Sequence, residues 1–212
     1  MADDLDADTL VELSILSEME LQCGWALEHL DVLRGHVGEA RMKEMTKEEL
    51  QRVGVHKYAI FREAQAFLTC AGIAESLLTG VGPPSPRGLE RITDERRASI
   101  RAKLHLPAEF TIAGRPQRNA LLHIEERLVS WSKSGGLRGD FFTSPTVIPD
   151  VPAAVMILRA FGEQGLEFSI IGEKCKLSDV ETSLRQLGRA AEIAVTRIIE
   201  EWNAKAMAGQ GS

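Results

Sequence analysis

Residues 9–33 read TLVELSILSEMELQCGWALEHLDVL, and within them Ile15, Met19, Cys23, Ala26, Leu30 and Leu33 return every three or four residues. That period puts all six on one side of an α-helix, so the stretch predicts one long amphipathic helix with a buried stripe. Thr9 and Glu12 have the spacing of a capping box and place its start. The same signature recurs along the chain. Thr46 with Glu49 predicts a short helix that Gly54 ends. From His56 onward, Phe61, Ala64, Phe67, Leu68, Ala71 and Leu78 predict a second long helix closed by Gly80. Asp94 to Leu104 reads as a short basic helix. Proline suits a first helical turn and disfavours helix in the residue before it, so another helix is expected from Pro116 to Lys133. Ser178 with Glu181 opens the last one, whose Leu184, Leu187, Ala191, Ala194, Ile198 and Trp202 again repeat at three or four. Trp25, Trp131 and Trp202 each fall on an apolar helical face and are read as core.

The texture changes between the last two helices. GGLRGDFFTSPTVIPDVP (135–152) is rich in Gly, Pro and Asp, and short, partly alternating runs follow at Met156–Phe161, Leu166–Ile171 and Lys174–Leu177. This is the pattern of short strands and turns. The expected architecture is therefore all-α: an antiparallel helical bundle in one domain over 1–212, with a small β-hairpin or meander insertion at 134–177 before the last helix. A flexible tail is expected at 206–212.

Composition narrows the function classes. Of 212 residues 44% are apolar and 26% charged, which excludes a disordered or collagen-like chain. Apolar runs such as Ala153–Leu158 are far shorter than the roughly 20 residues that span a bilayer, so no membrane partner is expected. The acidic N-terminus lacks the basic and apolar regions of a secretory signal, and a cytoplasmic location is expected. Cys23, Cys70 and Cys175 have neither paired spacing nor a metal-binding pattern and are read as small buried hydrophobes. The net charge of −6 argues against a protein that coats nucleic acid indiscriminately. Its distribution is uneven: Arg87–Arg138 holds eleven basic against six acidic residues. Arg96, Arg97 and Arg101 in that segment are candidates for an anion-facing surface.

Candidate chemistry concentrates in RPQRNALLHIEERLVSW (115–131). Leu121, Ile124, Leu128 and Trp131 form an apolar stripe, while Arg115, Asn119, His123 and Arg127 form a polar line at four-residue spacing. Arg118 lies in the first turn, where free N–H groups and the positive end of the helix dipole favour an anion. An imidazole such as His123 takes and returns a proton near neutrality. Either these groups converge on a site or they are a solvated helix face. Arg118 and His123 are five residues apart, about 140° around an ideal helix. Convergence then asks the arginine to swing or a second copy to contribute, so a homodimer with this helix near its twofold axis is expected. Elsewhere, His29 and His36 share a helix face without the partners a metal needs, and His56 and His105 sit where helix ends are capped. No cofactor and no metal is expected.

At Arg118-Asn119-x-x-x-His123, in a late helix of a bundle, the chain resembles the HEPN family, whose signature is an arginine, often followed by a polar residue, with a histidine four to six positions beyond. Phe61–Leu78 and His123–Trp131 also resemble bacterial HEPN-like proteins. The resemblance implies a metal-independent endoribonuclease of the toxin or defence type, in which the RNA's own 2'-hydroxyl attacks at a homodimer interface. It implies His123 as acid and base, Arg118 as phosphate clamp and Asn119 as their orienting group; the polar line and the charge distribution add Arg115, Arg127, Arg96, Arg97 and Arg101 as candidate RNA-binding residues. An antitoxin or regulatory protein is a further expected partner. Glu125 stands where one toxin subset carries a modifiable tyrosine, so silencing at that position is not expected. The alternative is a HEPN-like module without catalysis, binding nucleotide, RNA or protein.

Overall fold

The computed structural model describes residues 6–41, 47–80, 92–122, 129, 133, 140–143, 159–162, 166–170 and 173–209. The fold is mostly helical, with a small sheet before the last helix. Its elements are α1 (Ala7–Arg41), α2 (Lys47–Thr79), α3 (Asp94–Leu104), α4 (Arg115–Leu122), β1 (Asp140–Thr143), β2 (Arg159–Gly162), β3 (Glu167–Ile170), β4 (Glu173–Lys176) and α5 (Leu177–Gly209). They form two compact units. The first comprises Met1–Gly24, Ile73–Thr111 and Leu184–Ser212; the second comprises Trp25–Gly72 and Ile112–Ser183.

Helix boundaries differ from the sequence expectation where one residue type has two uses. The cap of α1 is Asp6: its carboxylate accepts from the Thr9 backbone N–H at 2.8 Å and from the Thr9 hydroxyl at 2.7 Å. Thr9 is therefore already helical, and these hydrogen bonds, the backbone one foremost, hold the Asp6 carboxyl below the usual carboxylate range. Gly54 ends nothing. A glycine in a helix interior costs about 1 kcal/mol relative to alanine, too little to break α2, which is 33 residues long and runs on to Thr79. It stops at Gly80, whose φ of 72° suits glycine and whose N–H donates to Ser76 O at 2.8 Å. Thr93 caps α3 by accepting from the Arg96 N–H. α5 runs on to Gly209, so the expected tail is helical over 206–209.

The four strands lie in the order β1-β2-β3-β4. β2, β3 and β4 form the expected antiparallel meander, with Phe161 opposite Phe168 and Phe168 opposite Cys175. β1 pairs with β2 in parallel, Asp140 opposite Arg159. A parallel pair needs a crossover of about a dozen residues, and the chain between Thr143 and Arg159 is long enough to supply it.

Each unit has its own core. In the first, Ile15, Leu16, Met19 and Cys23 of α1 are buried, as are Leu78 of α2, Ile100 and Leu104 of α3, and Leu184, Leu187 and Ala191 of α5. A Cβ on Gly188 would lie 3.1 Å from Cys23 Cβ, so α5 approaches α1 closely there. In the second, Leu30 and Leu33 of α1 and Ile60, Phe61, Phe67 and Leu68 of α2 are buried with Phe168 and Ile170 of β3. The Phe61 and Phe168 rings meet with centroids 6.4 Å apart, tilted by 57°. Trp25 is not core: it is 44% exposed. Its neighbour Ala26 belongs to the buried stripe, and adjacent helical positions point about 100° apart. Trp202 is half-buried, and Trp131 lies outside the described residues.

Candidate functional site

The chain enters α4 through Ile112, Ala113 and Gly114 of the second unit. Gly114 has a φ of 77°, and a Cβ there would come within 2.9 Å of Val180 Cγ2, so both conformation and space require glycine. Its carbonyl accepts from the Arg118 N–H at 3.1 Å, closing the first turn. Helical side chains lean toward the N-terminus, and the Arg118 side chain does so fully. Its Nη1 donates to Ala113 O and its Nη2 donates to Ile112 O at 3.2 Å. The stem passes over Gly72 of α2, where a Cβ would lie 3.5 Å from Arg118 Cδ. Arg118 is only 2% exposed. Gln117 beside it is also buried and donates from Nε2 to Lys174 O of β4 at 2.6 Å, docking α4 on the sheet.

Arg115 and Asn119, one turn apart, are exposed; His123 and Arg127 lie outside the described residues. Of the polar line, therefore, the described part is an open surface, while Arg118 faces inward. The other basic candidates belong to the first unit. Arg96 pairs with Asp8, and Arg97 with Asp94 at 3.0 Å. Arg97 also passes close to Gly80, where a Cβ would meet its guanidinium. Arg101 donates to Ala108 O at 2.8 Å and to Phe110 O at 3.3 Å. These three arginines are thus engaged by carboxylates and carbonyls of the chain itself.

Sequence spacing did not reveal the pairing of His29 with Glu63, 34 residues away, at 2.7 Å between Nδ1 and Oε2. Arg62 holds the other carboxylate oxygen at 2.6 Å. Burial pushes the Glu63 carboxyl upward, but the hydrogen bonds from His29 and Arg62 outweigh it and hold the group below the usual range. A carboxyl lowered on folding stabilises the fold above its unfolded titration range and loses that contribution as pH falls through the folded value. Urea midpoints followed from about pH 7 to about pH 3 should therefore fall less steeply for Glu63→Gln than for the parent chain. Parallel curves would remove Glu63 from the acid response.

Two cavities are lined by side chains whose meeting no local pattern announces. One, of 440 Å³ in the second unit, opens beside Pro116 and Gln117 and is lined by Lys174, Lys176, Glu167 and Asp179. Only the alternation along β4, which puts Lys174 and Lys176 on one side of the strand, is legible beforehand. The other, of 310 Å³ in the first unit, lies at the end of α3. Burial pushes the Cys23 and Cys175 thiols up to about 12 and raises Cys70, which disfavours the reactive thiolate, and all three are free. Among the described residues no group of three His, Cys, Asp or Glu side chains is placed to hold a metal. No helix among them is long and apolar enough to cross a membrane. No family model matches the chain, and no curated protein or solved structure matches it either.

Proposed function

We propose that the chain is a non-catalytic HEPN-like module that binds a protein partner, and that it does not cleave RNA. One observation carries this reading. The guanidinium that a nuclease would aim at the scissile phosphate donates instead to the carbonyls of Ile112 and Ala113, at 2% exposure. Stabilising charge that develops on phosphorus oxygens needs donors already directed at that place. Here the donors are directed at the loop, and a phosphate would have to displace two charge-assisted hydrogen bonds to reach them. The pairing of Arg96, Arg97 and Arg101 within the chain supports a protein rather than an RNA partner. Arg115 and Asn119 are the polar groups that the described part of α4 offers to that partner.

Incubation of the purified protein with transfer RNA and with single-stranded RNA in EDTA tests this. The expected result is intact RNA. Cleavage that persists in EDTA, leaves 2',3'-cyclic phosphate ends and falls by at least about a hundredfold in His123→Ala would replace this reading with the metal-independent endoribonuclease.

A further inference from the structure

The 310 Å³ cavity of the first unit is lined by basic side chains, one carboxylate and apolar groups. Arg197 of α5 donates from Nη1 to His105 Nε2 at 2.8 Å. A guanidinium has no acceptor, so this Nε2 carries a lone pair and the imidazole proton sits on Nδ1. His105 is placed by its backbone: it caps α3 in the left-handed conformation, φ 50° and ψ 32°, its N–H donating to Ala102 O. An imidazole that accepts this hydrogen bond brings no negative charge to the arginine. No carboxylate pairs with Arg197 among the described residues, although Glu201 lines the same cavity one turn along α5. Lys103, also in the lining, is bound to Glu12, which Ser99 and Lys103 together hold below the usual carboxylate range against the upward push of burial. Ser99 and the apolar Ala102, Ala194 and Ile198 complete the wall, Ala194 and Ile198 being buried.

We propose that this cavity binds a small organic oxyanion with a short apolar body, a carboxylate or a phosphate monoester. The planar fork of Arg197 matches two oxygens of such a group, and the Lys103 ammonium, paired with Glu12, lines the same space. The apolar body lies against Ala102, Ala194 and Ile198. Glu201 faces the same space and disfavours anions of high charge, which separates this ligand from a polyphosphate. Every residue involved belongs to the first unit, so the proposal stands apart from the reading of α4.

Isothermal titration of the full chain with butyrate, isopropyl phosphate and inorganic phosphate tests it. At least one of the two organic anions should bind, about tenfold or more tighter than inorganic phosphate, and the tighter of the two identifies the head group. Arg197→Ala, at an exposed position where circular dichroism should be unchanged, should weaken that binding by at least about tenfold. Glu201→Gln should strengthen it, and Arg115→Ala should leave it unaltered. No heat with either organic anion, equal affinity for inorganic phosphate, or unchanged affinity in Arg197→Ala would each overturn the proposal.

Discussion

Arg118→Ala should destabilise the protein by roughly 3–5 kcal/mol, because each hydrogen bond from a charged donor contributes about 1.5–3 kcal/mol and truncation also removes a buried stem. The side chain holds the carbonyls of Ile112 and Ala113, and it packs over Gly72. Losing it frees the loop that sets the direction of α4. For a chain of this size the change corresponds to a drop in Tm of roughly 6–20 °C. Arg118→Lys should recover only part of the loss, since an ammonium is a point donor and cannot span two carbonyls as a fork does. Arg115→Ala, exposed on the same helix, should stay within about 0.5 kcal/mol of the parent. The series separates the two readings of the arginine. A phosphate clamp predicts an unchanged melting curve and lost cleavage; a loop staple predicts a large thermal shift with no cleavage to lose. An Arg118→Ala protein that melts with the parent would return the residue to the anion-binding role.

The second large effect belongs to Phe168→Ala, expected to cost about 3–5 kcal/mol in urea unfolding. Phe168 is fully buried in β3 and is the sheet's aromatic contact with Phe61 of α2. Truncation removes both the apolar area and the tilted ring contact, which itself contributes about 0.5–1.5 kcal/mol. Phe168→Leu keeps much of the volume and should cost less than half as much as the alanine. A loss under about 1 kcal/mol would mean that the site collapses around the missing ring, and the strand would then have little part in holding α2.

The helical stripes were legible because burial on one side of a helix leaves a period in the sequence. Ile15, Met19, Cys23, Ala26, Leu30 and Leu33 are all buried, and so are Phe61, Ala64, Phe67, Leu68, Ala71 and Leu78. Ends were less legible, because capping depends on which of several polar residues the backbone selects. Asp6 and Thr9 are both good caps three residues apart, and the earlier one prevails. Strand direction was not legible at all: β1 and β2 would show the same short runs in either orientation, and only the length of chain between them separates the cases. At the candidate site, position and chemistry came apart. Arg118 does lie in the first turn of a helix that opens beside Pro116. Where a long side chain goes from there depends on what the loop before it leaves unsatisfied. Two carbonyls at Ile112 and Ala113 decide the matter, and they appear in no side-chain pattern. The Glu63 pairing of His29 is hidden for the same reason, since contact across helices leaves no spacing to read.

An arginine that closes its own loop has a reason to persist that is independent of any ligand. Once Gly114 has turned the chain and Arg118 has fastened the turn, replacing either residue costs the fold. Arg118 is therefore retained whether or not an anion binds, and its place in a first helical turn is not by itself a sign of catalysis. The informative comparison among relatives is then how Arg118 varies with Gly114 and Gly72. Variation coupled to those two glycines marks a staple, whereas variation coupled to His123 marks an enzyme.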